Sequence, residues 1–219
     1  MPNLKERANA GLHDYLFQLV NSKNLLPDEE ASLMDLGCGT GSWLNRFQTK
    51  GYKNLRGMDA DAEQFKLRNV EHNCLDLDAY NGEIFGEYDL ITALEIIEHL
   101  ANPGNLLELA TKNLKPDGHI LISTPNIQSL PARLRFLMKG RLSHFDDKSD
   151  LTHIYPVYDE NFKRLLPRFG LKLVKTYFYP QKGYITFRKS IRFLSRLIQP
   201  LAKDRFPGDN IIFLIAKEG

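Results

Sequence analysis

Apolar positions recur at two spacings along this chain, and the switches between them divide it into elements. Residues 3–26 place Leu4, Ala8, Leu12, Tyr15, Leu16, Leu19 and Val20 at helical spacing, which predicts a helix and an N-terminal helical cap over 1–30. Leu33, Met34 and Leu36 then make a short buried strand. Ser42-Trp43-Leu44 opens an amphipathic helix to about Lys50, where Gly51 stops it. Further strands are predicted over 54–58, 70–77, 88–93 and 119–124. The helix between the last two, over 102–114, has Asn102 as N-cap and Pro103 at its first position. Strand and helix therefore alternate to residue 124, which predicts an α/β fold with a mostly parallel sheet and helices on both faces. Beyond it, Leu134, Leu137 and Met138 share a helix face inside an insertion over 127–157. A helix over 158–169 ends at Gly170, and apolar runs at 171–179 and 210–216 read as two more strands. Between those runs, Ile191, Leu194, Leu197, Ile198 and Leu201 form an apolar stripe in a segment spanning 180–209.

The chemistry begins where the first strand ends. Asp35 is followed by Gly37, Gly39 and Gly41, which alternate with small residues before the helix starts. Glycines at this spacing let the backbone turn sharply and approach a ligand with no Cβ in the way. The helix N-terminus behind them offers free N–H groups and a partial positive charge. The spacing departs from the dinucleotide fingerprint G-x-G-x-x-G, because the third glycine comes one residue early and Ser42 stands where that pattern wants Gly or Ala. Asp59 closes the second strand, 18 residues past Gly41. An acidic residue at that place can accept both hydroxyl hydrogens of a ribose. Asp61 is the alternative, although it also fits as the N-cap of a following short helix.

Asp35, Gly37, Gly39 and Gly41 match, position by position, the D-x-G-x-G-x-G loop of class I S-adenosylmethionine (SAM) dependent methyltransferases, which the chain resembles over roughly residues 30–175. That resemblance implies a Rossmann-like sheet of seven strands whose last strand is antiparallel, formed by a terminal hairpin. It implies a single methyltransferase domain over 1–219, with SAM as cofactor. The cofactor site it implies comprises Asp35, Gly37, Cys38, Gly39, Gly41, Asp59, Ala60, Asp76, Leu77 and Leu94, with Asp76 near the adenine amino group. It also implies that the 127–157 insertion is a lid on the substrate side.

Just past the fourth strand lies Leu94–Leu100, LEIIEHL. In a helical turn Glu95, Glu98 and His99 would share a face, and two carboxylates with an imidazole can hold a hard divalent cation. This segment resembles two groups of O-methyltransferases, those of ubiquinone biosynthesis and those that methylate the 3′-terminal 2′-oxygen of small RNAs. The resemblance implies Mg²⁺ or Mn²⁺ on Glu95, Glu98, His99 and His153. Without metal, His99 or His153 could serve as the catalytic general base, since imidazole titrates near working pH. His99 positioning the next loop is an equally open reading.

Composition bounds the rest. The chain has 219 residues, 42% of them hydrophobic, enough for one full core, and no apolar run approaches the ~20 residues that span a bilayer. The start lacks the apolar core of a signal peptide, and two cysteines, Cys38 and Cys74, make neither a disulfide framework nor a metal quartet. A cytoplasmic protein is expected. The net charge of +2 hides an asymmetry: residues 1–127 carry 11 Lys+Arg against 19 Asp+Glu, and residues 128–219 carry 18 against 8. Within 182–205 there are seven basic residues and one acid, Asp204, with Arg188, Arg192 and Arg196 at every fourth position. A basic amphipathic stretch can lie on an anionic membrane or grip RNA phosphates, and packing on its own domain is as open a reading. Three functions stay in view: O-methylation of a small or lipid-linked metabolite, such as a quinone precursor or an envelope glycan intermediate; 2′-O-methylation of an RNA end; and SAM binding without catalysis.

Overall fold

The structure, a computed structural model, describes residues 4–187, 191, 193, 195, 197 and 207–219. Seven strands form one sheet in the order β3-β2-β1-β4-β5-β7-β6. They are β1 (Leu33–Leu36), β2 (Leu55–Asp59), β3 (Glu71–Cys74), β4 (Tyr88–Leu94), β5 (Leu114–Pro125), β6 (Leu171–Tyr179) and β7 (Asn210–Lys217). β1 pairs in parallel with β2 and β4, and β7 runs antiparallel to both β5 and β6. This is the Rossmann-like sheet with an antiparallel last strand that the sequence predicts.

Alternating side chains send the sheet's two faces into two cores. Leu90, Leu121, Ile212 and Leu214 pack under α1 (Leu12–Ser22) and α2 (Ser42–Gln48). Their neighbours Ile91, Ile120, Ile122 and Phe213 pack under α3 (Pro103–Asn113) and α5 (Asp159–Leu165). Both faces being covered explains why β1 and β4 read as near-continuous apolar runs. Trp43, Leu44 and Phe47 are essentially fully buried on α2, each worth roughly 1.5–3 kcal/mol by area burial. They hold the helix, and so the glycine loop at its start, against the sheet.

β5 begins at Leu114, ahead of the 119 predicted, and three boundaries nearer the site also differ from the sequence reading. The first helix starts only at Leu12, because Gly11 adopts a left-handed backbone (φ 80°). Residues 4–11 instead form a strap across the top of the sheet. Thr40 Oγ1 donates to the Lys5 carbonyl (3.1 Å), Asn9 Nδ2 donates to Asn210 Oδ1 (2.8 Å), and Tyr179 Oη donates to the Ala10 carbonyl (2.7 Å). β3 stops at Cys74, since Asp76 turns back to accept the Asp78 N–H (2.9 Å) and cap a short 3₁₀ turn at Leu77–Ala79. Residues 95–99 are not one helical turn: Glu95 has φ 56°, and only Ile97–His99 coil, as 3₁₀.

The insertion after β5 carries α4 (Leu130–Lys139), capped by Ser129 and ended by left-handed Gly140. Its first turn packs, with Leu130, Pro131 and Ala132 buried, but its last turn does not: Leu137 is 82% exposed, with Phe136 and Met138 also exposed. The stripe and arginines expected within 182–205 fall largely outside the described residues. Among those described, no helix is long and apolar enough to cross a membrane.

Candidate active site

The site lies at the carboxyl ends of β1, β2 and β4, where strand order reverses on either side of β1, the position an open α/β sheet uses for ligands. Asp35, buried on the face of β1 that meets α2, anchors it. Asp35 Oδ1 accepts from Thr92 Oγ1 on β4 (2.6 Å), and Thr92 Oγ1 accepts from Trp43 Nε1 on α2 (3.1 Å). Three elements are thereby tied around the glycine loop. Burial pushes the Asp35 carboxyl up to about 7, against the pull of the Thr92 hydrogen bond.

Gly37, Gly39 and Gly41 all have positive φ, at 75°, 50° and 84°. Their surroundings differ. A Cβ on Gly37 would stand 2.1 Å from Ile96 Cδ1, whereas nothing lies within 4 Å of one on Gly39. The loop is therefore packed from below at Gly37 and bare above at Gly39. Asp59 Oδ2 accepts the Gly39 N–H (2.8 Å), and Asp59 Oδ1 accepts the Asp61 N–H (2.9 Å). The carboxylate is fixed by two backbone donors and keeps lone pairs for a ligand.

These groups line a cavity of about 740 Å³. Of the cofactor residues expected from the sequence, it brings together Asp35, Gly37, Cys38, Gly39, Asp59 and Leu94. Gly41, Ala60, Asp76 and Leu77 do not line it. Gly41 backs onto Phe65 and Leu67, Ala60 and Asp76 are exposed, and Leu77 is buried in the core. The Cys38 thiol, raised by burial, faces Gly57 on β2. The strap supplies Lys5, Arg7 and Asn9, and the first turn of α1 supplies His13. The sequence reading missed them as site residues because Leu4 and Ala8 keep helical spacing through them.

At the other end of the cavity the expected acid–imidazole group forms with one member changed. Glu98, His99 and His153 come together, their potential ligand atoms all within 4.8 Å of one another. Glu95 is not among them. Its left-handed backbone aims the carboxylate away, where it accepts from Ser123 Oγ (2.8 Å) and Asn210 Nδ2 (2.7 Å). Burial pushes Glu95 up to about 7.

Glu98 is 0% exposed. Its Oε2 accepts from Thr124 Oγ1 (3.0 Å), and its Oε1 has no partner among the described residues. Burial first, and then the nearby Glu95 carboxylate, raise Glu98 well above the ordinary carboxylate range. The two imidazoles stand edge to face, centroids 4.7 Å apart. His153 Nδ1 lies 2.9 Å from the His144 carbonyl, so Nδ1 carries a proton and Nε2 of the neutral ring is the free base. His99 Nδ1 lies 2.8 Å from Thr152 Oγ1, whose own hydrogen goes to Asp150 Oδ1 (2.6 Å). By the same bookkeeping His99 presents Nε2. Desolvation and the neighbouring His153 lower the His99 pKa, and the Thr152 hydrogen bonds hold the Asp150 carboxyl below its usual range. His144, with φ 70° and a buried Nε2 that has no partner among the described residues, also lines the cavity. No spacing in the sequence marks it.

Residues 6–176 match the model of a family described as a methyltransferase domain. The chain belongs to that family. Among relatives, the ubiquinone biosynthesis O-methyltransferase of Acinetobacter baylyi is 28% identical over 104 residues, 43% of each chain. The mitochondrial ubiquinone biosynthesis O-methyltransferase of Dictyostelium discoideum is 29% identical over 119 residues, 46% of this chain and 37% of that one. The matches thus span less than half the length of those relatives. Among solved structures, a SAM-dependent methyltransferase from Archaeoglobus fulgidus superposes with a TM-score of 0.62, at 22% identity and 94% coverage of both chains. The plantazolicin methyltransferase, solved with S-adenosylhomocysteine (SAH), superposes with a TM-score of 0.55 at 19% identity, covering 97% of this chain and 92% of that one. The glycine loop, Asp59 and the cavity offer the open backbone, the fixed carboxylate and the volume that a nucleoside-bearing cofactor needs.

Proposed function

We propose that this methyltransferase transfers the methyl group of SAM to a hydroxyl oxygen of a small or lipid-linked metabolite. The observation that carries this is Glu98 Oε1, a buried carboxylate oxygen without a partner among the described residues, beside two imidazoles that each present Nε2. A buried, unpaired carboxylate oxygen calls for a proton or a cation. An alcohol, unlike an amine, must lose a proton as it attacks, so a proton acceptor at this place suits oxygen acceptors.

SAM supplies a methyl group on a positive sulfonium, an inherently good leaving group. The chain's task is then alignment and proton removal. The glycine loop and Asp59 would hold the adenosyl part, and His99 and His153 would stand on the acceptor side with their proton-accepting nitrogens fixed.

The same three side chains fit Mg²⁺ or Mn²⁺, through one carboxylate oxygen and two imidazoles. The second nitrogen of each ring is already taken by Thr152 or the His144 carbonyl, the outer-shell arrangement that orients metal-binding histidines. Such an ion would lower the pKa of the bound hydroxyl. Calorimetry of Mn²⁺ with SAH present is the test. Saturable binding lost in His99→Ala is expected. Equal binding by both proteins, or none by either, would remove the metal and leave the imidazoles as bases.

A peripheral contact with an anionic membrane is a second reading, favoured by exposed Phe136, Leu137 and Met138 on α4 beside Lys139. Apolar residues edged by cations suit a headgroup layer. Co-sedimentation with phosphatidylglycerol vesicles should fall several-fold in Leu137→Ser. Unchanged co-sedimentation, or none by the native protein, would reject the contact.

A further inference from the structure

We infer that the acceptor is a neutral polyhydroxylated ring, a carbohydrate, rather than a catechol or the ribose end of an RNA. The inference rests on the O-methylation reading above and narrows it to a substrate class.

The cavity wall divides in two. The part built by residues up to Ile96 holds the glycine loop, Asp59 and the strap. The part contributed from residue 97 onward holds, among the described residues, a single apolar side chain, Pro125. The rest of that wall is polar: the carboxylates of Glu98 and Asp150, the imidazoles of His99, His144 and His153, and the hydroxyls of Ser149 and Thr152. At about 740 Å³ the cavity lies high in the ~300–1,000 Å³ range of small-ligand sites, which leaves room beside a cofactor.

Three features of this wall select among oxygen acceptors. First, an aromatic acceptor gains most of its affinity from apolar and aromatic walls, and among the described residues no Phe, Tyr, Trp, Leu, Ile or Val from residue 97 onward lines the cavity. Phe145, which packs against His153 (5.5 Å between centroids), is not part of the lining. Second, an RNA end brings phosphodiester charge, and among the described residues this half carries no Lys or Arg but does carry Asp150, held in its charged form by Thr152. The cavity's Lys5 and Arg7 sit on the strap, where the Lys5 carbonyl is tied to Thr40 in the glycine loop and the Arg7 guanidinium to Gln64; Arg7 is also near enough to His99 to help lower its pKa, so one cation does border this half. Third, a sugar presents several O–H donors on one small ring. Carboxylates and imidazole Nε2 atoms at fixed positions are acceptors for them, and Glu98 Oε1 and His144 Nε2, without partners among the described residues, gain partners on binding.

The step balances without a further reactant. The sugar oxygen bonds to the methyl carbon as the carbon–sulfur bond breaks. The bonding pair stays on sulfur, giving the neutral thioether SAH, and the hydroxyl proton passes to an imidazole Nε2 of the cluster.

The test offers the intact protein methyl-labelled SAM with a panel: methyl glycosides of common hexoses and deoxyhexoses, their phosphate esters, an amino sugar, protocatechuate and a short RNA. Label on a glycoside hydroxyl is expected, with its phosphate ester a worse substrate. Asp150→Asn keeps an acceptor for Thr152 but removes the charge. It should raise KM for the glycoside about 10-fold, the scale of one hydrogen bond to a charged group, and narrow the preference over the phosphate ester. A residue that merely supported the loop would weaken both substrates alike. Label on protocatechuate or RNA alone, or on nothing while calorimetry still shows SAH binding, overturns the carbohydrate assignment. Label on the amino sugar's nitrogen alone overturns the O-methylation reading beneath it.

Discussion

Gly37→Ala is expected to weaken SAH binding by more than ~100-fold and to lower the melting temperature, because two independent costs meet at one atom. The backbone there has φ 75°, a conformation that costs a residue with a Cβ about 1–2 kcal/mol. The added carbon would also stand 2.1 Å from Ile96 Cδ1, 2.3 Å from Cγ1 and 3.3 Å from Cβ. That is the stem of a branched side chain, not a flexible end, so Ile96 cannot step aside alone. Overpacking of this kind adds typically 1–3 kcal/mol. Ile96 also leads directly into the turn that carries Glu98 and His99, so the displacement spreads from the cofactor half of the cavity to the acceptor half. The Gly37 and Cys38 N–H groups, both bonded to the Met58 carbonyl (2.7 and 3.0 Å), would lose their register with β2.

Gly39→Ala provides the control. Nothing lies within 4 Å of its added carbon, which points into the cavity, so the fold should lose about 1–2 kcal/mol from the positive φ alone. SAH binding should fall as steeply as for Gly37→Ala, since the methyl occupies ligand space. Calorimetry with SAH beside thermal melts separates the cases. If Gly37→Ala bound SAH within a few-fold of the native protein, the loop would not be the cofactor's cradle.

What the sequence made legible follows from range. Asp35, Gly37, Gly39 and Asp59 are read from spacing along one strand–turn–helix unit and the next strand, and local geometry puts them on one cavity, with Gly41 behind them where the helix begins. The two-faced core was equally readable, because strands that alternate with helices and run nearly continuously apolar, as β4 and β7 do, mark a sheet covered on both faces. Glu95 shows where this stops. Helical arithmetic put it on one face with Glu98 and His99, but its left-handed backbone depends on Ser123 and Asn210, 28 and 115 residues away. The strap failed for a related reason. Leu4 and Ala8 keep helical spacing yet pack along the α1–α2 core as an extended segment, once Gly11 starts the helix late. His144 meets the cavity through a loop conformation that no periodicity encodes.

Glu98→Gln should cut methyl transfer to the accepted acceptor about 10²- to 10⁴-fold in kcat, the range for losing a positioned acid–base group, with SAH affinity within a few-fold of native. The substitution is close to isosteric, so the packing of a side chain with no exposure is kept, and Thr124 still has an oxygen to donate to. The turn is kept as well, because the Glu98 main-chain carbonyl, not its side chain, accepts the Ile154 and Tyr155 N–H groups (2.9 Å each) that bring the His153 segment across. What disappears is the unpartnered acceptor oxygen beside the imidazoles. The pH profile discriminates between roles. Burial and Glu95 hold Glu98 protonated to higher pH than an ordinary carboxylate. A role for the charged form therefore makes native kcat rise with pH through that raised value, and Glu98→Gln should lose this limb while keeping the one set by His99. The His99 limb should lie below 6.5, where burial and His153 place it. A variant with near-native kcat and the full native profile would make Glu98 a packing residue, and proton removal would then fall to His99 and His153 alone.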